Sequence, residues 1–118
     1  MKTIVAGSRL IRSYKDVEAA INESGFHITE IVSGLANGPD TFGIEWAFRN
    51  GVKVKKFPAE WHKYGNGAGY RRNKQMAEYA DALIAVWDGK SSGTKHMIED
   101  AKKKGLQVFV KTVTHEIS

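Results

Sequence analysis

Five short apolar runs alternate with four stretches of helical periodicity along this chain. The runs are "TIVAG" (3–7), "TEIVSG" (29–34), "VKVKKF" (52–57), "ALIAVW" (82–87) and "LQVFVK" (106–111). Each is short and rich in Val and Ile, the side chains that suit a pleated surface, so each reads as a strand. Between them the apolar positions fall three and four apart. Val17, Ala20 and Ile21 share a face in 16–25; Ile44, Ala47 and Phe48 in 40–51; Met76, Ala77 and Ala80 in 71–80; Met97, Ile98 and Ala101 in 94–105. Gly25, Gly51 and Gly105 close three of these segments, as expected where a helix hands over to the next strand. Strands alternating with helices and joined by right-handed crossovers form a parallel sheet covered on both faces. The expected fold is therefore α/β: a three-layer, Rossmann-like parallel sheet of about five strands, strand one central and the lysine-rich third run at an edge.

With 118 residues, no linker and no low-complexity segment, the alternation predicts a single domain over 1–118. The sequence has no cysteine, which excludes disulfides, thiolate metal sites and a cysteine nucleophile and suits a reducing, cytoplasmic setting. No apolar stretch reaches the roughly 20 residues of a membrane span, so no membrane partner is expected, and the first run is too short for a signal peptide. His27, His62, His96 and His115 are scattered; His96 and Asp100 alone stand at helical spacing. Neither a metal nor a cofactor is expected. The net charge of +5 permits a polyanionic partner without requiring one, and Lys102–Lys103–Lys104 fits the negative end of a helix.

Ligands of such sheets bind beyond the carboxyl ends of the strands, and the unusual residues follow the strands there. After strand one come Gly7, Ser8 and Arg9: a tight turn, a hydroxyl and a guanidinium suited to phosphate. After strand two comes "GLANGPD", with Gly34 and Gly38 bracketing three residues before Pro39 and Asp40 open a helix. It is neither the dinucleotide fingerprint nor a Walker loop, but glycines before a helix bring backbone N–H groups to an anion. Turn chemistry with Asp40 as cap explains the same residues. After strand three a long connection sets Trp61, Tyr64 and Tyr70 beside Arg71, Arg72 and Asn73, a combination for a ring plus a phosphate or for a loop pinned by its aromatics. After strand four, Gly89, Ser92, Gly93 and Thr94 lead into the last helix. All four loops map to one rim.

These stretches, "VAGSR", "VSGLANGPDTFGIEWA", "FPAEWHKYGNGAGYRRNKQM" and "SSGTKHMIEDA", resemble the SLOG superfamily of Smf/DprA and Lonely Guy proteins, and within it a small bacterial and phage branch, the DUF2493 type. The resemblance runs from strand one to strand five and implies a Rossmann-like domain for nucleotides or nucleotide-derived ligands. Members cleave N-glycosidic bonds of nucleoside monophosphates, sense nucleotide signals or, in the DprA type, bind single-stranded DNA. The Lonely Guy hallmark P-G-G-x-G-T-x-x-E corresponds here to Trp87–Asp88–Gly89 followed by Ser92–Gly93–Thr94. Met97 holds the position of its glutamate and cannot accept a proton. Glu99 and Asp100 lie about 200° and 300° further round the helix. Arg72 retains the hallmark arginine in kind.

Three readings follow. In the first, the chain binds a nucleotide-derived small molecule as a sensor or regulatory binder. In the second, it hydrolyses or transfers the N-glycosidic bond of such a ligand, with Asp40, Glu60, Asp88 and Asp100 as candidate carboxylates. In the third, it is a single-stranded nucleic-acid module, disfavoured because basic residues are spread along the chain rather than gathered in a stripe. Trp46, off the face set by Ile44 and Phe48, leaves a homo-oligomer open.

Overall fold

The computed structural model describes residues 1–113. Its elements run β1 (Lys2–Gly7), α1 (Tyr14–Ser24), β2 (Glu30–Ser33), α2 (Pro39–Arg49), β3 (Lys53–Lys56), α3 (Trp61–Tyr64), a 3-10 turn (Gly65–Gly67), α4 (Ala68–Tyr79), β4 (Ala82–Trp87), α5 (Ser92–Lys103) and β5 (Gln107–Thr112). All strands are parallel, in the order β3-β2-β1-β4-β5. The order places β1 at the centre and reverses beside it, so the loops after β1 and β4 part and leave a crevice at their carboxyl ends.

Two apolar layers hold the helices to the sheet. Ile4 and Leu83 of the sheet cluster with Met76 of α4 and Met97 of α5; on the other face Val5, Ile31 and Ile84 cluster with Val17 of α1 and Ala47 of α2. Strands β1 and β4 are buried on both faces, which is why their sequences are continuously apolar instead of alternating. At β3, by contrast, Lys53, Lys55 and Lys56 are exposed. Three carboxyl-terminal glycines take the left-handed conformation expected of them: Gly25 (φ 68°), Gly51 (φ 66°) and Gly105 (φ 77°).

Helix α2 departs from its expected face. Its buried side is Pro39, Asp40, Gly43 and Ala47, and Phe48 stands 88% exposed. The cause is close packing: a Cβ on Gly43 would lie 2.8 Å from Val5 Cβ, so the helix rests on the sheet through its smallest residues. That rotation turns Trp46 and Phe42 against the core cluster and Phe48 outward. Trp46 is therefore not the outer-face aromatic; Phe48 is. The long connection after β3 also contains a helical turn and a 3-10 turn, both too short to show a period in sequence.

Candidate functional site

A cleft of about 270 Å3 opens at the carboxyl ends of β1 and β4, slightly below the common size of small-molecule sites. Four loops build it. Gly7 and Arg9 come from the β1–α1 loop; Ala36 and Asp40 from the β2–α2 junction; Trp61, Asn66, Gly69 and Tyr70 from the connection into α4; Ser91 to Thr94 from the start of α5. Arg72, Asn73 and Met76 of α4 and Met97 of α5 close it from behind.

Helix α5 supplies the open electropositive end. Ser91 caps it: its side chain accepts from the Thr94 N–H (3.4 Å) and from the Thr94 hydroxyl (3.2 Å). The next N–H groups, of Ser92 and Gly93, belong to the first helical turn, which has no partners within a helix. The macrodipole adds partial positive charge there. Asp88 stabilises the approach from below. Its Oδ1 accepts from the N–H groups of Lys90 and Ser91, each at 2.8 Å, and these bonds hold its carboxyl below the usual range. Ser8, fully buried, accepts the Asp88 N–H at 3.1 Å and so ties the β1 loop to the β4 loop.

The β2–α2 loop holds a different arrangement from the one its glycines suggest. Part of its backbone polarity favours a carboxyl of its own chain. The N–H groups of Ala36, Gly34 and Asp40 itself favour the Asp40 carboxylate, which lies 4% exposed in the cleft wall. Gly38 is glycine for backbone reasons, with φ 85° and its missing Cβ 3.1 Å from the Ser8 and Ile11 carbonyl oxygens. Gly34 is glycine because Arg72 lies across it; a Cβ would stand 2.7 Å from Nη1. Leu35 also takes a left-handed φ of 64°, a strain of about 1 kcal/mol, with its N–H held by Ser33 Oγ at 3.2 Å.

Arg72 is fixed from two sides. Its Nε donates to Asn73 Oδ1 (3.2 Å) and its Nη1 to the Gly34 carbonyl. Asn73 in turn places Nδ2 3.4 Å from His96 Nδ1, and Tyr70 packs on the His96 ring with centroids 4.3 Å apart. Burial lowers the Arg72 pKa, with Asp40 opposing and nearby Arg9 adding to the fall. Burial pushes Asp40 up to about 6, against the pull of Arg72 and the three N–H groups.

Of the sequence candidates, the cleft gathers Gly7, Arg9, Asp40, Arg72, Asn73, Ser92, Gly93 and Thr94. Ser8, Gly34 and Gly38 support its loops from outside the lining, and Gly89 (φ 81°) sits in the turn before α5. Arg71 points away and lies over the Tyr64 ring at 4.1 Å. Among the four carboxylates only Asp40 lines the cleft. Glu60 is exposed at the start of α3, where its carbonyl accepts the Lys63 and Tyr64 N–H groups. Asp88 is spent on the loop. Asp100 is buried in α5 with Oδ2 at 3.2 Å from His96 Nδ1, an ion-pair distance without hydrogen-bond alignment. Ser91, Asn66 and Ala36 line the cleft without having been singled out. Ser91 had a readable signal, a serine three residues before Thr94 at a helix start. Among the described residues no group of three His, Cys, Asp or Glu side chains is placed to hold a metal, and no helix is long and apolar enough to cross a membrane. His115 lies outside the described residues.

The buried Asp40 charge makes stability pH-dependent. Below about pH 4 the carboxyl is protonated folded or unfolded. Between about 4 and 6 only the folded chain keeps the proton, and above about 6 the folded chain carries the full cost of a buried charge. Stability is expected to fall by about 3 kcal/mol across that window. Asp40→Asn should remove that part of the slope. Urea denaturation of both chains at several pH values checks it: parallel curves would refute the buried charge.

The fold and this rim define a class: a parallel α/β Rossmann-like domain with its cleft at the strand-order reversal. No family model matches the chain. It is 29% identical to the Gene 61 protein of Mycobacterium phage D29 over 120 residues, covering 92% of this chain and 94% of that protein. Among solved structures its fold is similar to that of DNA processing protein A (DprA) from Streptococcus pneumoniae, with a TM-score of 0.73 and 24% identity. The match covers 98% of this chain and 51% of that one, so this chain spans about half the length of its structural neighbour. The fold is thus DprA-like.

Proposed function

We propose that the chain is a SLOG-type domain that binds a nucleotide or nucleotide-derived phosphate ligand in this cleft, as a sensor or regulatory binder. One observation carries the reading: Arg9, Arg72 and the N-terminus of α5 converge on a single cleft whose other wall presents the rings of Trp61 and Tyr70. Guanidinium groups and first-turn N–H groups suit phosphate oxygens. Exposed rings suit a base. The DNA-processing role named for the structural neighbour supports an association with nucleotide chemistry, but two arginines at a compact cleft fit a single ligand better than a strand-tracking groove.

Gly93→Val is the sharpest test. Nothing lies within 4 Å of its missing Cβ, so the fold tolerates the side chain, while the added bulk stands at the mouth of the α5 N-terminus. Calorimetric titration with nucleoside monophosphates, diphosphates and ADP-ribose should show binding to the wild type and a loss of tenfold or more in the variant, on the order of 1.4 kcal/mol. Gly25→Ala, at a left-handed position remote from the cleft, should cost about 1 kcal/mol of stability and leave affinity alone. Equal affinity in a folded Gly93→Val chain would remove the cleft as the site.

A second reading has one observation in its favour. Asp40, at the cleft and raised to about 6, is a carboxyl able to exchange a proton near neutrality, as N-glycosidic hydrolysis requires. Release of free base from a nucleoside monophosphate, abolished by Asp40→Asn, would replace the first reading with this one.

A further inference from the structure

Among the described residues the cleft is lined by three formally charged side chains, Arg9, Arg72 and Asp40. Two are cations that suit an anionic ligand; the third is a buried carboxylate beside them. Around Asp40 stand Arg72 from α4, Arg9 from the β1–α1 loop acting on Arg72, and the N–H groups of Gly34 and Ala36 from the β2–α2 loop. Tyr70 is the remaining titratable side chain on the wall. In the free protein Asp40 lies in the same cleft wall as the two arginines that an incoming phosphate would use, and Arg72 offsets its charge.

A phosphate drawn to Arg72 changes this balance. The guanidinium then divides its field between two anions, and two anions close together in a water-poor cleft repel. A proton on Asp40 relieves the repulsion and also converts the group from an acceptor into an O–H donor. We propose that the cleft takes up its anion together with one proton, held on Asp40, so that affinity for a phosphate-bearing ligand falls as the pH rises. This deepens the phosphate-cleft reading and rests on it. The free carboxyl already sits near the physiological range through burial, so the proton is available at small cost. Below about pH 6 the free protein holds the proton already and uptake vanishes; above it, one proton accompanies each anion until the pKa of the complex is passed.

The probe is ADP-ribose, whose diphosphate does not titrate near neutrality. Calorimetry in two buffers of different ionisation heat, at about pH 7.5, should give an uptake approaching one proton per site, and Kd should rise by up to about tenfold per pH unit between about pH 6.5 and 8. Asp40→Asn, with an amide that donates permanently, should bind with no proton exchange and a flat pH profile. Carbon-13 carboxyl NMR of the wild type gives a second readout that needs no variant: the Asp40 midpoint should move upward on saturation with ADP-ribose. Binding without proton uptake, or with an unmoved midpoint, overturns the proton linkage and leaves the cleft reading standing. Absence of binding by ADP-ribose, AMP and sulfate to the folded chain removes both.

Discussion

Replacing Gly7 by alanine is expected to lower stability by about 3 kcal/mol or more, and the melting temperature by roughly 10 °C or more. Gly7 pairs with Val86 at the end of the central ladder. An added Cβ would press on the Val86 carbonyl oxygen, well inside contact distance, and stand 2.7 Å from Pro39 Cγ. Neither obstacle yields easily. The Val86 oxygen belongs to the backbone of β4 and accepts the Ser8 N–H at 3.1 Å. Pro39 is the first residue of α2 and has a fixed ring. Relief would require β1 and β4 to part or α2 to lift, and either would disturb two apolar layers at once. Gly93→Ala, in open space, is the matched comparison and should melt close to the wild type. Thermal unfolding by circular dichroism decides; a Gly7→Ala chain as stable as the wild type would mean that β1, β4 and α2 do not meet so closely.

Arg72→Ala is expected to weaken phosphate-ligand binding by about 1.5–3 kcal/mol, roughly 10- to 150-fold. Its Nε and Nη1 are already committed to Asn73 and Gly34, which leaves Nη2 and fixes the plane of the fork before any ligand arrives. A fixed guanidinium loses little conformational freedom on binding. Arg72→Lys should recover little, because an ammonium cannot keep both protein bonds and face the ligand as well. Arg71→Ala should leave binding unchanged, since Arg71 lies on Tyr64 away from the cleft. Titration of the three variants with AMP and ADP-ribose separates these outcomes, and full affinity in Arg72→Ala would set aside the cleft as a phosphate site.

Apolar periodicity made the sheet readable. Strand count and the exposed edge at β3 follow from local properties of the runs, whereas the central place of β1 follows from the strand order such alternating folds adopt. Helix α2 was not readable in the same way. Its packing face is made of Gly43 and Ala47, which a hydrophobic pattern scores weakly, while Phe48 scores strongly and faces water. The rim was legible as a set of loops, but not in its division of labour. A glycine admits several causes: Gly34 yields to a side chain from α4, Gly38 to its own φ, and Gly93 to open space. Likewise, two adjacent arginines differ only because the step of about 100° between neighbours on α4 sends Arg72 over Gly34 and Arg71 over Tyr64. Asp40 looked like a helix cap; that its carboxyl is buried in the cleft wall depends on the depth of the loop, which no spacing encodes.

The central position of β1 has a consequence for the order of folding. Its partners are β2 nearby and β4 far along the chain, with Lys2 and Asp81 joined across 79 positions. Such closure is entropically slow and comes late. During synthesis β1 emerges well before β4, so one of its two ladders stays open until residues 82–87 have left the ribosome. Until then Ile4 and Val5 lack the Leu83 and Ile84 that complete their layers. The nascent chain thus carries an unfinished apolar strand until the fourth strand arrives, and only then does its central sheet become stable.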